Sequence, residues 1–429
     1  MTSATLVPAG AVAARSRLIM TLLAAQVCGS TGHTLTLAVG SIVAADLTGD
    51  NTMSGVPVAV GALGGALASV PLSRLMSRAG RRPGLALGYA LAVLGSVLSM
   101  VGVIERSFPT FLAGMFLFGF GHASSLLGRF AAADVSTPDR RGRAIGLIVG
   151  GATAGSIIGP NLMAPTTNLA IRLGLPADAG VFLIGIGGFG LAALLIELLL
   201  RPDPLKIAHQ FQIGESAVAR GRSTRRLGSI LRAPRIRIAF GALMTSQLVM
   251  IGTTSTAAVY MKDHGHDVQM IGLAVSLHLG GMYVASPITG WLVDRIGRLA
   301  MILIGGILLI AAVIVAGLAS GSNGLLVATM FCLNGIGWNF AFVSGSALLT
   351  DALEPAERTT MQGFADLMTG LMGALGSTLG GIVLQSWGFA MLNAAGAVLI
   401  LGPLAAVWLG RAALAPQPPE RPEAAASSA

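Results

Sequence analysis

Charge is what this 429-residue chain has little of: 10% of its residues are Asp, Glu, Lys or Arg, against about 25% in a soluble domain. Lysine is scarcer still, at Lys206 and Lys262 only. The two cysteines, Cys28 and Cys332, both sit in apolar stretches, so neither a disulfide framework nor a zinc spacing can be written. Aromatic residues make up 5%. No phosphate-cradling nucleotide signature occurs in a strand–helix setting, so any energy-requiring work must draw on a gradient. These shortages exclude a soluble enzyme, a disordered chain and a nucleic-acid binder. The net charge of +9 points to nucleic acid only until the charges are located.

What is abundant is apolar: 54% hydrophobic residues and 59 glycines, with a mean hydropathy of +0.78. Twelve helical spans of about 20 residues need roughly 240 apolar-compatible positions, close to what this composition supplies. Runs of that kind fall at about 18–43, 54–73, 84–104, 109–133, 144–165 and 179–200, then 238–260, 270–293, 299–319, 324–350, 360–384 and 389–409. They are too long, too glycine-rich and too poorly alternating for strands, and they predict transmembrane helices. The first run exceeds a signal peptide's apolar core and is kept as a span.

Of the 27 basic residues, 23 fall on the side that holds both termini. Arg106, Arg172 and Lys262 lie opposite, and Arg129 lies within a span. This excess predicts cytoplasmic termini and contact with anionic headgroups on that side. Segment 201–237, with nine basic residues, divides the chain into six-span units at 1–200 and 238–410. It reads as a cytoplasmic linker against headgroups, and the Pro- and Ala-rich tail 411–429 as disordered.

The halves repeat at an offset of 217: Ser77 matches Asp294, Arg78 Arg295, Gly80 Gly297, Arg81 Arg298, Asp134 Asp351, Arg141 Arg358 and Gly146 Gly363. Six spans per half make this a parallel repeat about an axis along the membrane normal. The expected fold is an all-α membrane protein with 12 transmembrane helices in two six-helix bundles.

The loop Gly290-Trp-Leu-Val-Asp294-Arg295-Ile-Gly297-Arg298 matches the G-x-L-x-D-R-x-G-R motif of the major facilitator superfamily of secondary transporters, which the chain resembles over essentially its whole length. The first-half loop, Ser73 to Arg82, keeps the basic and glycine positions but has Ser77 in place of the acid. The resemblance implies a latch between halves at Asp294, Arg295 and Arg298, weakened at Ser77; a plain positive-inside turn is the alternative. In the fifth span, Gly146, Gly155 and Gly159-Pro160 look like the motif of the family's bacterial drug–proton exporter branches, with Met163-Ala164 replacing its closing Gly-Gly. Physically, Gly151, Gly155 and Gly159 form a smooth packing face and Pro160 a kink. A helix rocking against the other half would use such a face, as would plain helix packing.

Ionisable side chains inside spans are functional candidates by default. Near mid-span lie His33, His122 and His278; nearer the basic ends lie Arg129, Glu197 and Asp366. On the cavity map that the resemblance implies, Gln26, His33, His122, Gln247, Asn334, Trp338 and Asn339 form a substrate-binding set. His33, His122 and His278 either carry a coupling proton or hydrogen-bond helix backbone. Arg129 and Asp366 have similar depths in opposite halves and suggest a gating pair, although Asp366 also lies two turns from Arg358.

Two motifs are set aside. Gly185-Ile-Gly187-Gly188-Phe-Gly190 fits G-x-G-x-x-G but lies within an apolar span, outside any βαβ unit. His264 and His266, beside Asp263 and Asp267, read as a solvated loop, and no metal or cofactor is implied. The resulting expectation is a monomeric secondary transporter of a bacterial cytoplasmic membrane, exporting amphiphilic small molecules in exchange for protons. A specific-metabolite transporter and a non-transporting sensor or assembly factor on the same fold are the alternatives.

Overall fold

The computed structural model describes residues 9–50, 53, 55–212, 227–266, 268–318 and 323–414. The middle of the linker, Asp267 and tail residues 415–429 lie outside the described residues.

The first bundle comprises α1 (Ala9–Thr48), α2 (Val56–Ala79), α3 (Arg81–Ile104), α4 (Phe108–Asp134), α5 (Arg141–Arg172) and α6 (Gly180–Leu199). Two short helices follow, α7 (Pro204–Gln212) and α8 (Leu227–Arg232). The second bundle holds α9 (Pro234–Asp263), α10 (Val268–Leu279), α11 (Ser286–Ile296), α12 (Arg298–Leu318), α13 (Gly324–Ala352) and α14 (Pro355–Leu414). Among the described residues, nine helices are long and apolar enough to cross a membrane, and α10 with α11 forms a tenth span bent by 45°. Helix α14 is two spans joined at Gly388, whose φ of 80° breaks the helical path. With α1, whose 40 residues hold the first apolar run, the architecture is an all-α assembly of twelve spans in two six-helix bundles.

Many hydroxyls inside these helices are satisfied by the carbonyl one turn earlier. Ser30 Oγ donates to the Gln26 carbonyl and Thr31 Oγ1 to the Val27 carbonyl, each at 2.8 Å, so neither leaves an open group in an apolar setting. The repeat is also visible in the turns. Gly80 and Gly297 have φ of 106° and 105°, a conformation that L side chains rarely adopt, and each leads directly into the next span. The bend in the eighth span has a local cause. A π-helical turn spans Gly280–Val284, and Pro287 has no N–H for the carbonyl four residues earlier. Asn339 of α13 packs beside the bend, donating to the Met282 carbonyl at 2.5 Å and to Ser286 Oγ, which itself donates to that carbonyl.

The linker is anchored at both ends. Asp203 accepts from the backbone N–H of Arg81 (3.1 Å), Arg82 (2.8 Å) and Leu205 (2.9 Å), placing a carboxylate on the N-terminus of α3 where the helix dipole favours it. Ile207 and Ala208 of α7 and Ile230 of α8 are buried. Headgroup contact alone would not bury them; the helices dock on the bundles.

The buried core explains how the halves meet. At the end that carries the basic loops, one continuous cluster joins Leu72, Met76 and Phe130 of the first bundle to Val293, Phe342 and Met361 of the second. At the far end there are separate clusters, Val39, Phe111 and Phe182 in the first bundle and Met261, Phe331 and Phe389 in the second.

Candidate functional site

The basic end is closed by polar contacts between the bundles. Arg129 of α4 is the centre. Its Nη2 lies 2.5 Å from Asp366 Oδ1 and its Nη1 3.2 Å from Oδ2 on α14, with both side chains 1% exposed. Two parallel N–H···O contacts use the guanidinium fork that a lysine lacks. Arg129 Nε also donates to Ser346 Oγ at 3.2 Å. Positions 129 and 346 are equivalent in the repeat, and equivalent residues touch only at the pseudo-twofold axis, so the pair sits on the central axis. Phe130 and Phe342 cover the guanidinium at 4.1 and 4.5 Å, a desolvated cation–π arrangement.

Around this centre run two seams. In the α5–α11 seam, Asp294 accepts from the N–H of Gly142 (2.8 Å) and Arg143 (2.9 Å) at the start of α5. Arg298 donates to Asp351 Oδ2 at 2.9 Å and to the Pro138 carbonyl, while Arg141 reaches Asp351 Oδ1 at 2.5 Å from the other bundle. In the α2–α14 seam, Arg81 is fully buried. It donates to Asp134 at 2.8 Å and, across the bundles, to Gln362 Oε1 at 2.6 Å. Gln362 then donates to Thr350 Oγ1 at 3.1 Å. Ser77 is exposed and turns its hydroxyl back to the Arg74 carbonyl at 2.8 Å.

Arg295 differs from its neighbours in the motif. It is exposed, with its guanidinium 5.1 Å from the ring centre of Trp291 on its own helix. Glu197 is a surface group, 3.5 Å from Arg82 and 3.7 Å from Arg201.

Beyond this floor lies the candidate chamber. His122 is seven residues before Arg129 on α4 and Trp338 eight before Ser346 on α13. At 1.5 Å per residue each stands about 10–12 Å further from the basic end. The His33 ring of α1 stacks on His122 at 4.3 Å and 13°, and on Phe118 at 5.6 Å. Buried His33 Nδ1 and Gln26 Oε1 have no hydrogen-bond partner. Trp338 Nε1 donates to Gln247 Oε1 at 2.8 Å, and its ring stacks on Phe342 at 4.5 Å. The sequence-derived set thus divides. Gln26, His33, His122, Gln247 and Trp338 occupy neighbouring depths above the floor. Asn334 and Asn339 are fully buried within the second bundle, Asn334 Nδ2 donating to Thr253 Oγ1 at 2.8 Å. His278 also belongs to that interior: its Nδ1 lies 3.1 Å from the Phe331 carbonyl, and a carbonyl only accepts, so Nδ1 carries the proton.

The glycine face of α5 also divides. A Cβ at Gly151 would lie 2.7 Å from Leu23 Cδ1, and one at Gly155 2.0 Å from Ser30 Oγ, so these pack on α1 of the same bundle. The closest approach to the other half is instead at Gly146, where a Cβ would meet the Ser286 carbonyl at 2.2 Å. Gly159 is buried, and the side chain of Pro160 lies outside the described residues.

Sequence reading missed Arg81, Asp134, Gln362, Arg141 and Asp351 as site residues. The available signal was the repeat itself. Arg81 with Asp134 and Arg298 with Asp351 recur at one offset, a pairing that a mere count of basic residues passes over.

The family model described as Major Facilitator Superfamily matches residues 22–267 and 239–429. The chain is 31% identical to "Uncharacterized MFS-type transporter YdeG" of Bacillus subtilis (strain 168), covering 90% of each. It is also 31% identical to "Riboflavin transporter RfnT" of Brucella anthropi, over 89% of this chain and 92% of that one. Among solved structures, the proton:xylose symporter XylE bound to 6-bromo-6-deoxy-D-glucose superposes with a TM-score of 0.71 at 16% identity, covering 94% of this chain and 96% of that one. Twelve spans, a two-fold repeat, paired latch loops and these matches agree: the chain belongs to the Major Facilitator Superfamily, as a multi-pass membrane transporter.

Proposed function

We propose that this transporter works by alternating access and exports amphiphilic small molecules in exchange for protons. On this reading it acts as a monomer in a bacterial cytoplasmic membrane, with the basic face and both termini in the cytoplasm and anionic headgroups against the basic loops. The observation that carries the reading is the pattern of cores: one shared cluster at the basic end and two separate clusters at the far end. On this reading the molecule is closed toward the cytoplasm and open toward the outside. Rocking of the two bundles against each other about an axis in the membrane plane, with Arg129, Asp366, Asp294 and Arg298 released, gives the opposite state.

The chamber's chemistry narrows the cargo. The polar groups placed there among the described residues include two amides, two imidazoles and an indole, and Asp366, in the floor below them, is committed to Arg129. A lipophilic cation finds no anion there. An uncharged or weakly acidic ring system finds stacking surface and hydrogen-bond partners. The stacked pair His33–His122 is the candidate proton carrier: imidazole exchanges protons near neutral pH, and two imidazolium rings at 4.3 Å would repel, so the pair holds at most one added charge.

A second reading, transport of one specific heteroaromatic metabolite, is favoured by the full-length similarity to a protein named as a riboflavin transporter. Inside-out vesicles with an imposed pH gradient separate the two. Neutral aromatic drugs that each dissipate the gradient support proton-coupled export; a response to riboflavin alone supports the second reading. No response to any solute, with protein present and folded, overturns proton exchange.

A further inference from the structure

The two seams are equivalent by the repeat yet closed by different chemistry. At the rim, the α5–α11 seam has Asp294 on the α5 amides, whereas the α2–α14 seam has Ser77, whose hydroxyl is turned back to Arg74. The helix crossings themselves are alike. A Cβ at Gly146 would strike the Ser286 carbonyl, and one at the equivalent Gly363 would strike Ser73 Oγ at 2.0 Å. Deeper in, the asymmetry reverses. Helix α14 presents Gln362 and Asp366 one turn apart, and the equivalent positions of α5 are Ile145 and Val149. Among the described residues, the α2–α14 seam therefore has one carboxylate in direct contact with a cation across the bundles, Asp366, with Asp134 acting on Arg358 at longer range, while the other seam has Asp294 and Asp351.

The charged and titratable groups toward Asp366 come from two helices. Helix α4 brings Arg129, with His122 two turns further along the same face, and α3 brings Arg81, whose own partner is Asp134. The faces packed on α14 from α2 and α13 offer Ser69, Ser73, Ser346 and Thr350, and that from α9 offers Phe240.

We infer that Asp366 is the group whose protonation releases the α2–α14 seam, which makes it a coupling site distinct from the histidine pair. This deepens the proton-exchange reading and rests on it. A proton leaving hydronium on the chamber side breaks that ion's O–H bond, forms an Oδ–H bond on Asp366 with release of water, and cancels the ion pair with Arg129. Arg129 keeps supports in its own bundle, the Leu126 carbonyl at 2.5 Å and the Phe130 ring. Among the described residues Asp134 also acts across that seam, on Arg358, beyond ion-pair contact; with no acid at position 77, Asp366 holds the one direct carboxylate–guanidinium contact there. The proton leaves to the basic face once that face has opened and water reaches the carboxyl.

The test is a distance measurement across the seam, independent of transport. In a Cys28→Ser, Cys332→Ser background, spin labels at Arg78→Cys and Ala356→Cys report opening over a pH series in nanodiscs. The parent should show a longer-distance population that grows as pH falls. Asp366→Asn should make that population pH-independent and raise it at least about tenfold at alkaline pH. Ser77→Asp, placing a carboxylate where Asp294 stands in the other seam, should move opening to lower pH. An unchanged pH response in Asp366→Asn overturns the inference. If that variant fails to fold, an unchanged response in Ser77→Asp does the same. A response kept in Asp366→Asn but lost in His33→Gln/His122→Gln overturns it while leaving proton exchange standing; a flat parent overturns it, and the vesicle assay then judges proton exchange alone.

Discussion

Arg129 and Arg81 are both buried cations, yet their surroundings assign them different consequences. Arg81 pairs with Asp134 inside its own bundle, with side chains 0% and 1% exposed. Arg81→Ala would remove the cation hydrogen-bonded to that carboxylate, a change that in buried pairs costs about 3–5 kcal/mol. The expected outcome is a lower unfolding temperature in detergent, whatever the transport state. Arg129 spans the bundles, so its loss acts first on the conformational equilibrium. Arg129→Lys keeps the charge but not the fork that reaches both Asp366 oxygens. Transport should fall by about tenfold or more, the factor that 1.4 kcal/mol represents, while thermal stability changes little. An equal loss of stability in both variants would contradict this division.

Helix α5 shows how one element serves both bundles. Its Gly151–Gly155 side lies on α1 and its Gly142–Gly146 side on α11. Gly155→Val should destabilise the first bundle, seen as reduced yield of folded protein. Gly146→Val should leave the bundles folded and prevent the basic end from closing, seen as raised labelling of basic-end cysteines. Element existence was legible because long apolar runs with few charges leave little choice, and the 217-residue offset exposed the two-fold plan. The facing of each side chain was not: spacing alone puts Gly151 and Gly155 on one side of a helix but does not say which neighbour they meet. Depth counting placed Arg129 near Asp366 and the structure holds them in contact, whereas His278 and Asn339, which depth placed equally well, are held by neighbouring backbone. The docking of α7 and α8 escaped detection because basic composition masks the few apolar residues, Ile207 and Ile230, that anchor them.

At the scale of the whole molecule, charge scarcity takes on a second meaning. Most basic residues mark one face, and the charges drawn inward among the described residues, Arg81, Arg129, Asp134, Arg141, Glu357, Arg358 and Asp366, lie where that face shuts. The central claim is that the basic face must open and close in every transport cycle. A reversible cross-link tests it most directly: Arg78→Cys with Ala356→Cys, joined by a reducible bifunctional thiol reagent in the cysteine-free background and reconstituted with a solute that the gradient screen identifies. Cross-linking should stop transport and reduction should restore it. Undiminished transport by fully cross-linked protein would contradict the account.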